Sequence, residues 1–177
     1  MRSRKGVKKA HERFQVENFL DWLNTTYRTD YKIVGEPDPP EAIIQSSNKT
    51  SWVEIGAAFY NDEYARDLNS FAAENEVHVP FERDFLVEPD KVFAKRFVKV
   101  VKKKLEKSTY VPFRDKYGPG YLVIPIFYPL LDSSTIDAIN QEWKITGNVD
   151  DRGCFRSVRY SWQSQRRWTL KRWTFPA

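Results

Sequence analysis

The chain has 177 residues, a length that suits one domain with a full hydrophobic core. Aromatic residues make up 15% of it, so it can bury enough apolar surface to fold, which excludes an intrinsically disordered protein. The 29 Lys and Arg residues against 24 Asp and Glu residues give a net charge of +5, which favours polyanionic partners such as nucleic acid without requiring them.

Cysteine usage and the lack of long apolar runs indicate the compartment. Cys154 is the one cysteine, so an internal disulfide is excluded and a reducing environment is favoured. No run approaches the ~18–20 apolar residues of a membrane span, and the N-terminal MRSRKGVKK lacks the apolar stretch of a signal peptide. We therefore expect a soluble, cytoplasmic protein without membrane contact. His11 and His78 form no Cys/His pair at ligand spacing, which excludes a structural zinc.

The first 27 residues combine a basic stretch with an amphipathic pattern. Residues 1–9 carry five cations and no anion, which predicts a basic flexible tail that aids solubility or contacts phosphate. Apolar residues then recur at spacings of three and four over 10–27, which predicts a helix. Glu12 lies on its apolar stripe, four residues before Val16, where a carboxylate needs a partner or a metal. A salt bridge to Arg13 or to a later lysine is the alternative.

Three short strands are predicted between residues 31 and 59. They lie at 31–34, 42–46 and 52–59, and the last two form a β-hairpin around a polar turn. The bend between the first two strands carries Asp38 among three prolines, which exclude a helix and fix the direction of that side chain. A plain turn with a solvated aspartate is the alternative.

The third strand contains a carboxylate within an apolar stretch. Because side chains alternate along a strand, Val53 and Ile55 share one face while Glu54 and Gly56 share the other. Glu54 is therefore a charge inside a strand that is otherwise apolar.

Two helices are predicted next, at 61–74 and 91–107. Asn61 or Asp62 is expected to cap the first helix, and Asp90 the second. Tyr64, Leu68, Phe71 and Ala72 are expected to face inward from the first. The apolar stripe of the second is Val92, Phe93, Phe97, Val100, Val101 and Leu105. Its remaining surface is rich in lysine, which indicates a solvated face or a nucleic-acid surface.

The C-terminal third predicts a buried strand, a helix and a hairpin. Residues 121–127 are continuously apolar, as in a parallel strand reached by a crossover, and Pro125 is expected to loosen its pairing. A helix is expected at 134–145, with Leu131, Ile136, Ile139 and Trp143 inward, and strands at 155–162 and 167–175. The hairpin mixes arginine with tryptophan, which either binds nucleic acid or covers the core. The residues expected to bind nucleic acid are Lys95, Lys99, Lys102, Lys103, Arg166 and Arg167.

This order of elements and carboxylates resembles the PD-(D/E)xK nuclease superfamily, which has the restriction-endonuclease-like fold. Pro37-Asp38 matches the PD of its motif, and Val53-Glu54-Ile55-Gly56 matches the (D/E)xK stretch sixteen residues later. Glu12 matches a helical carboxylate that some members add. The resemblance covers roughly residues 10–130. It implies a single α/β domain with a mixed β-sheet, antiparallel hairpins plus a parallel crossover strand, flanked by helices.

The resemblance also implies a metal-dependent endonuclease that hydrolyses phosphodiester bonds in DNA, the favoured partner, or in RNA. Asp38, Glu54 and the backbone carbonyl of Ile55 would hold Mg²⁺ or Mn²⁺, and Glu12 would complete the catalytic set. Such an ion prefers oxygen ligands and lowers the pKa of a bound water. The family has a lysine two residues after the Glu, and this chain has Gly56 there instead.

Three explanations of the glycine stay open. The catalytic cation could come from Lys95, Lys99 or Arg66, or a second metal or water at Glu12 could take over its role. Alternatively, hydrolysis has been lost and the chain is an inactive nucleic-acid-binding protein. A structural or interaction protein of the same fold, with ion-paired carboxylates, and a homodimer that cuts both strands are further alternatives.

Overall fold

In the computed structural model, residues 4–72, 77–80, 87–146, 149–164 and 167–175 are described, with backbone alone for residues 4, 5, 69, 164 and 167. The strands are β1 (Lys32–Gly35), β2 (Ala42–Ser46), β3 (Lys49–Ile55), β4 (Ala58–Phe59), β5 (Gly120–Phe127), β6 (Phe155–Ser164) and β7 (Arg167–Trp173). The helices are α1 (Arg4–Tyr27), α2 (Asp62–Ala72), α3 (Pro89–Leu105), α4 (Val111–Tyr117) and α5 (Ser133–Thr146), with a 3₁₀ turn at Ser108–Tyr110.

The described strands form one mixed sheet in the order β1-β2-β3-β5-β6-β7, and β4 pairs with β5 beyond the end of β3. Strand β2 pairs antiparallel with β1 and with β3, and β6 pairs antiparallel with β7. Strand β5 runs parallel to both β3 and β6. The prediction of an α/β fold with antiparallel hairpins and a parallel crossover strand is therefore confirmed.

Helices pack on both faces of the sheet, and alternation along β3 decides which residue meets which helix. Val53 and Ile55 are buried under α1 together with Val16 and Phe19. On the other face, Trp52 packs with the apolar stripe of α3. Glu54 lies between Val53 and Ile55 and therefore points toward α3. The predicted alternation around Glu54 is confirmed.

Helix α1 begins earlier than the sequence pattern predicts. It starts at Arg4, so residues 4–9 are helical and the predicted flexible tail is wrong for them. An ion pair between Lys8 and Glu12, one turn apart, stabilises the added turns. The polar turn after β2 is likewise shorter than expected, since β3 begins at Lys49, and the predicted strand 52–59 breaks at Gly56.

Several expectations for α2 and α3 need correction. Phe71 is 77% exposed and Val92 is 40% exposed, because both lie at the margin of their helix's apolar face. Asp90 does not cap α3, since Glu88 occupies the N-cap position and Asp90 lies inside the first turn. Asn61 does act as a cap, because its Oδ1 accepts the Tyr64 backbone N–H at 2.6 Å.

The C-terminal hairpin extends the sheet and also contributes Val158, Tyr160 and Trp173 to the core. Strand β6 pairs along β5, and Pro125 keeps its place opposite Ser161 in that ladder. In α5, Ile139 is buried and Trp143 packs against the core, as predicted. The sequence pattern gave no indication of the 3₁₀ turn and α4. Within the described ranges, no helix combines the length and apolarity that a membrane crossing requires.

Candidate functional site

Glu54 is the most deeply buried carboxylate on the α3 side of the sheet. It is 1% exposed, and its Oε1 accepts a hydrogen bond from the Lys104 ammonium group. Its other oxygen, Oε2, is buried and has no hydrogen-bond partner among the described residues. Desolvating an ionised oxygen without a partner is costly, so Oε2 is a candidate ligand for a cation or an acceptor for a nearby donor such as the buried Tyr110 hydroxyl.

Lys104 occupies the space beside the glycine of the motif. A Cβ atom placed on Gly56 would lie 3.4 Å from Lys104 Cε, 3.3 Å from Val100 Cγ1 and 2.8 Å from Ile124 Cδ1. A side chain at position 56 would therefore clash first with Ile124, while the Lys104 side chain lies at ordinary contact distance beside the same space. The cation at Glu54 is neither Lys95 nor Lys99, both expected candidates.

The sequence does contain a signal for Lys104. Lys104 follows Phe93, Phe97 and Val100 at spacings of four, three and four, so it lies on the apolar stripe of α3. A lysine on that stripe needs an anionic partner from the sheet. Arg66, the remaining candidate cation, lies exposed on α2.

Asp38 lies in the proline-rich bend that precedes β2. Its φ is +43°, a left-handed conformation that aspartate tolerates better than most residues. Its backbone N–H donates to the Pro40 carbonyl at 3.0 Å, which closes the bend. Asp38 is exposed, and its charge raises the pKa of both Glu12 and Glu41. Asp38 therefore adds negative charge near Glu12 and Glu41.

Glu41 is a site residue that sequence reasoning missed. Burial raises its pKa to about 7, and repulsion from Glu12, Glu54 and Asp38 adds to the effect, while Lys104 opposes it. The sequence signal for Glu41 is the register of the hairpin formed by β2 and β3. Ala42 pairs with Val53, so Glu41 is next in line with Glu54.

Glu12 reaches this cluster from the N-terminal half of α1. Lys8 Nζ lies 3.2 Å from Glu12 Oε1, so its partner is an earlier lysine and not Arg13 or a later one. Arg13 pairs instead with Glu17 and Glu36. Burial raises the pKa of Glu12, and the charge of Lys8 opposes that effect. Glu12 and Asp38 raise the pKa of Glu41, as Glu54 does, so these four carboxylates are called the Glu54 cluster below. A metal ion shared by Asp38 and Glu54 stays a prediction.

The Tyr110 side chain forms a wall next to Glu54, with its buried hydroxyl near the carboxylate. Its ring stacks on Trp52 with 5.7 Å between ring centroids, and it is fully buried. Burial raises the pKa of the Tyr110 hydroxyl, and the negative charge of Glu54 raises it further. The Glu54 carboxylate is therefore screened from bulk water on the Tyr110 side, which strengthens its electrostatic interactions.

The chemistry of these donors suits a hard divalent cation. Carboxylate oxygens are its preferred ligands, and Glu54 Oε2 has no competing partner in the described part of the chain. In the same part, no group of three or more His, Cys, Asp or Glu side chains is arranged so that it could hold a metal ion. Mg²⁺ does not need one, because it is usually held by one or two carboxylates together with water and substrate phosphate. Ile55 ends β3 beside Glu54, and the role of its carbonyl stays a prediction.

The predicted nucleic-acid-binding lysines lie elsewhere on α3. An open groove of about 650 Å³ between α3 and α5 is lined by basic side chains, among them Lys95, Lys99, Lys102 and Lys103. Lys102 is about 160° around the helix from Lys104. The groove and the carboxylate cluster therefore flank α3 on different sides. Arg166 lies outside the described residues, and only the backbone of Arg167 is described.

Comparisons with known protein families, with curated proteins and with solved structures find no match to this chain. No activity is therefore carried over from a relative. The chemistry of the Glu54 cluster has to support a function by itself.

Proposed function

We propose that this chain is a metal-dependent nuclease that hydrolyses phosphodiester bonds in DNA or RNA. The observation that carries this proposal is the pairing of buried Glu54 with Lys104 beside Gly56, with Glu54 Oε2 unpartnered among the described residues. The (D/E)xK motif likewise supplies a lysine next to a carboxylate whose oxygen can bind a metal ion. Here the lysine comes from a helix and not from the strand.

Glu54 and Asp38 are the residues that would hold Mg²⁺ or Mn²⁺, with water completing the coordination. When bound, such an ion lowers the pKa of a water molecule and neutralises charge on the scissile phosphate. These two carboxylates and Glu41, together with Lys104, leave net negative charge at the site, which favours binding of a divalent cation.

The protein groups can carry the proton transfer and orient the substrate. Glu41, with a pKa of about 7, can accept a proton from the attacking water near neutral pH. The Lys104 ammonium group, held on Glu54 Oε1, can donate to a phosphate oxygen and stabilise charge that develops there. The Tyr110 wall excludes water from one side of the pair, so both effects act in a low dielectric.

The order of the elements supports the same proposal. Helix α1, the strands β1 to β3, helix α3 and the parallel strand β5 follow the sequence order on which the resemblance to the PD-(D/E)xK superfamily rests. The strands β6 and β7 then widen the sheet beyond that core. We accordingly propose a restriction-endonuclease-like core with an added C-terminal hairpin.

Cleavage assays on purified protein test the activity directly. We expect cleavage of at least one of plasmid DNA, single-stranded DNA and RNA in Mg²⁺ or Mn²⁺, and none with a chelator. Glu54→Gln, which keeps shape but removes charge, should lower the rate about a thousandfold. Glu17→Gln on the exposed side of α1 is the matched control and should cleave normally. Wild-type protein that leaves every substrate intact with both metals contradicts the proposal.

A nucleic-acid-binding protein without hydrolytic activity is the second candidate, and the lysine-lined groove favours it. Binding through Lys95, Lys99, Lys102 and Lys103 would weaken steeply with salt, because counterions are released on contact with phosphates. Protein that binds nucleic acid at low salt and never cleaves it would support this candidate. Protein that neither binds nor cleaves contradicts both.

A further inference from the structure

Aromatic rings form a connected group where the N-terminal half of α1 lies over the C-terminal end of β5. The centroid of the Phe127 ring lies 5.1 Å from that of His11 and 6.3 Å from that of Trp168. Phe59 stacks on Phe127 at 4.8 Å, and Phe14 meets Trp168 edge to face at 6.3 Å. We call His11, Phe14, Phe59, Phe127 and Trp168 the aromatic cluster.

The aromatic cluster lies outside both hydrophobic cores of the sheet. Phe14 is 46% exposed and the other four side chains are partly exposed, whereas the core rings of Phe19 and Trp52 are fully buried. Burying such rings would be favourable, so a group of them left at the surface indicates an interaction site. Because every member is aromatic, we expect a partner with flat faces that stack on rings.

The C-terminal hairpin gives this surface a positive charge. Residues 152–177 contain seven Arg and Lys residues and no Asp or Glu. Arg172 is exposed, and because it follows Trp168 by four residues on β7 it shares the α1-facing side, about 13 Å away. Arg159, which pairs with Arg172 in the sheet register, lies on the same side over the Trp22 ring. Cations beside exposed rings are complementary to a nucleic-acid strand, which combines charged phosphates with flat bases.

The aromatic cluster and the Glu54 cluster lie at the same end of the sheet, where β4 pairs with β5 beyond the end of β3. In β5, Phe127 follows Leu122, the partner of Glu54, by five residues, or about 16 Å along the strand. On α1, His11 directly precedes Glu12. A nucleic-acid strand that crosses this end of the sheet can therefore contact both clusters.

We propose that the aromatic cluster binds unpaired bases of a single-stranded nucleic acid, which stack on Phe14 and Trp168. Every base has a flat face, so such binding tolerates any sequence but requires bases that are not paired. As a substrate site, the aromatic cluster rests on the proposed nuclease function, and it makes single strands the substrate of that nuclease.

Binding titrations of the full chain in the presence of a chelator test the aromatic cluster without cleavage. Fluorescence anisotropy compares three labelled ligands of equal length, namely oligothymidylate, the same strand with every base removed, and a duplex. Oligothymidylate should bind about tenfold more tightly than the abasic strand, which keeps the phosphates but cannot stack. The affinity for the duplex should not depend on the aromatic cluster, because its bases are paired.

Phe14→Ala and Trp168→Ala should each weaken oligothymidylate binding about tenfold and leave binding of the abasic strand and the duplex unchanged. Phe175→Ala is the matched control, because Phe175 is 37% exposed and stacks on Trp143 on the opposite face of the sheet. It should bind oligothymidylate as the wild type does. A second arm uses oligouridylate, since RNA offers the same base faces.

The proposal is overturned if neither oligothymidylate nor oligouridylate binds more tightly than the abasic strand. It is also overturned if folded Phe14→Ala and Trp168→Ala both bind as the wild type does, or if Phe175→Ala weakens binding as much as they do. Should Trp168→Ala fail to fold, Phe14→Ala decides, because Phe14 is exposed on α1. Cleavage without base-dependent binding overturns the aromatic cluster alone. Base-dependent binding without cleavage supports the aromatic cluster and contradicts the nuclease.

Discussion

Two carboxylates, Glu54 and Asp90, lie near opposite ends of α3 and differ in how their oxygens are satisfied. Asp90, in the first turn of α3, accepts hydrogen bonds on both of its oxygens. Its donors are the hydroxyls of Tyr128 at 2.8 Å, Ser134 at 2.8 Å and Thr135 at 2.6 Å. Glu54 accepts from Lys104 on one oxygen, while the other has no partner in the described part of the chain. The complete set ties α3 to α5, and the incomplete one leaves a place for a ligand.

The pKa shifts near these two carboxylates have opposite signs. The pKa of Asp90 is lowered, and the pKa of Glu41, a neighbour of Glu54, is raised. Burial raises the pKa of Asp90, but the hydrogen bonds from Thr135, Ser134 and Tyr128 outweigh it, so the net shift is downward. Near Glu54, burial and neighbouring carboxylates raise the pKa of Glu41 to about 7. The three hydroxyl donors stabilise the charged form of Asp90. The carboxylates near Glu54, by contrast, carry more negative charge than the cations among them neutralise.

The largest effect is expected from removing the cation at Glu54. Lys104→Met keeps the aliphatic chain beside Gly56 but removes the ammonium group, so cleavage should fall about 10²- to 10³-fold. Cleavage rates, measured on protein shown to be folded by circular dichroism, check this prediction. Lys91→Met, on the first turn of the same helix and paired with exposed Glu88, is the matched control and should cleave as the wild type does.

Returning the lysine to the strand sharpens the same test. Gly56→Lys combined with Lys104→Ala places an ammonium group in the space that Lys104 leaves, and Ile124→Val removes the Cδ1 atom that would lie 2.8 Å from the new Cβ. This triple variant should cleave about tenfold faster than Lys104→Ala. Equal rates for the two would mean that an ammonium group in this space has no part in the reaction. Undiminished cleavage by Lys104→Met would mean the same.

The opposite outcome is expected at Asp90, where stability should change and activity should not. Asp90→Ala removes the acceptor of three hydroxyl groups, and we expect it to lower the free energy of unfolding by about 2 kcal/mol. Urea unfolding measures the loss, with Asp137→Ala on the exposed side of α5 as control. Cleavage per folded molecule should match the wild type. A fall in cleavage comparable to that of Glu54→Gln would contradict the distinction between the two carboxylates.

Much of the fold could be predicted from the sequence because periodicity reports local geometry. The alternation in β3 placed Glu54 on the face opposite Val53, and the structure confirms it. The apolar run of β5 likewise predicted a buried parallel strand. Periodicity did not give the start of α1, because its added turns are stabilised by the ion pair of Lys8 with Glu12 and not by an apolar stripe.

The candidate site was less predictable, because its members meet through tertiary packing. The apolar stripe of α3 indicates that Lys104 turns toward the sheet, but Lys104 lies fifty residues after Glu54 and no local pattern identifies Glu54 as its partner. Glu41 was missed because its importance comes from the carboxylates around it and not from its own sequence context. The partnership of Asp90 with the start of α5 also depends on how two distant helices pack.

The smallest effect is expected from the pH dependence of Glu41→Gln. The folded pKa of Glu41, about 7, lies above its ordinary value of 4.5, so the folded state binds the proton more tightly than the unfolded state does. Its contribution to stability is therefore fully present below pH 4.5 and is lost as pH rises toward 7. Because Glu41 is only half-buried, solvent screening reduces the effect, and we expect Glu41→Gln to be more stable than the wild type by about 1 kcal/mol above pH 7.

Asp90→Ala provides the contrasting pH profile. Its pKa is lowered in the folded state, so the stability that Asp90 contributes persists at neutral pH and disappears only in acid, below its ordinary value of 3.8. Urea unfolding across the pH range should therefore show that Glu41→Gln gains free energy of unfolding relative to the wild type as pH rises from 4.5 to 7. The free energy that Asp90→Ala loses should be constant and at its full value over the same range. Mg²⁺ should stabilise the wild type more than Glu41→Gln above pH 7, because the ion neutralises the repulsion that the substitution removes. If the stability difference between Glu41→Gln and the wild type did not change with pH, the pKa of Glu41 would not be raised by burial and by repulsion from the neighbouring carboxylates.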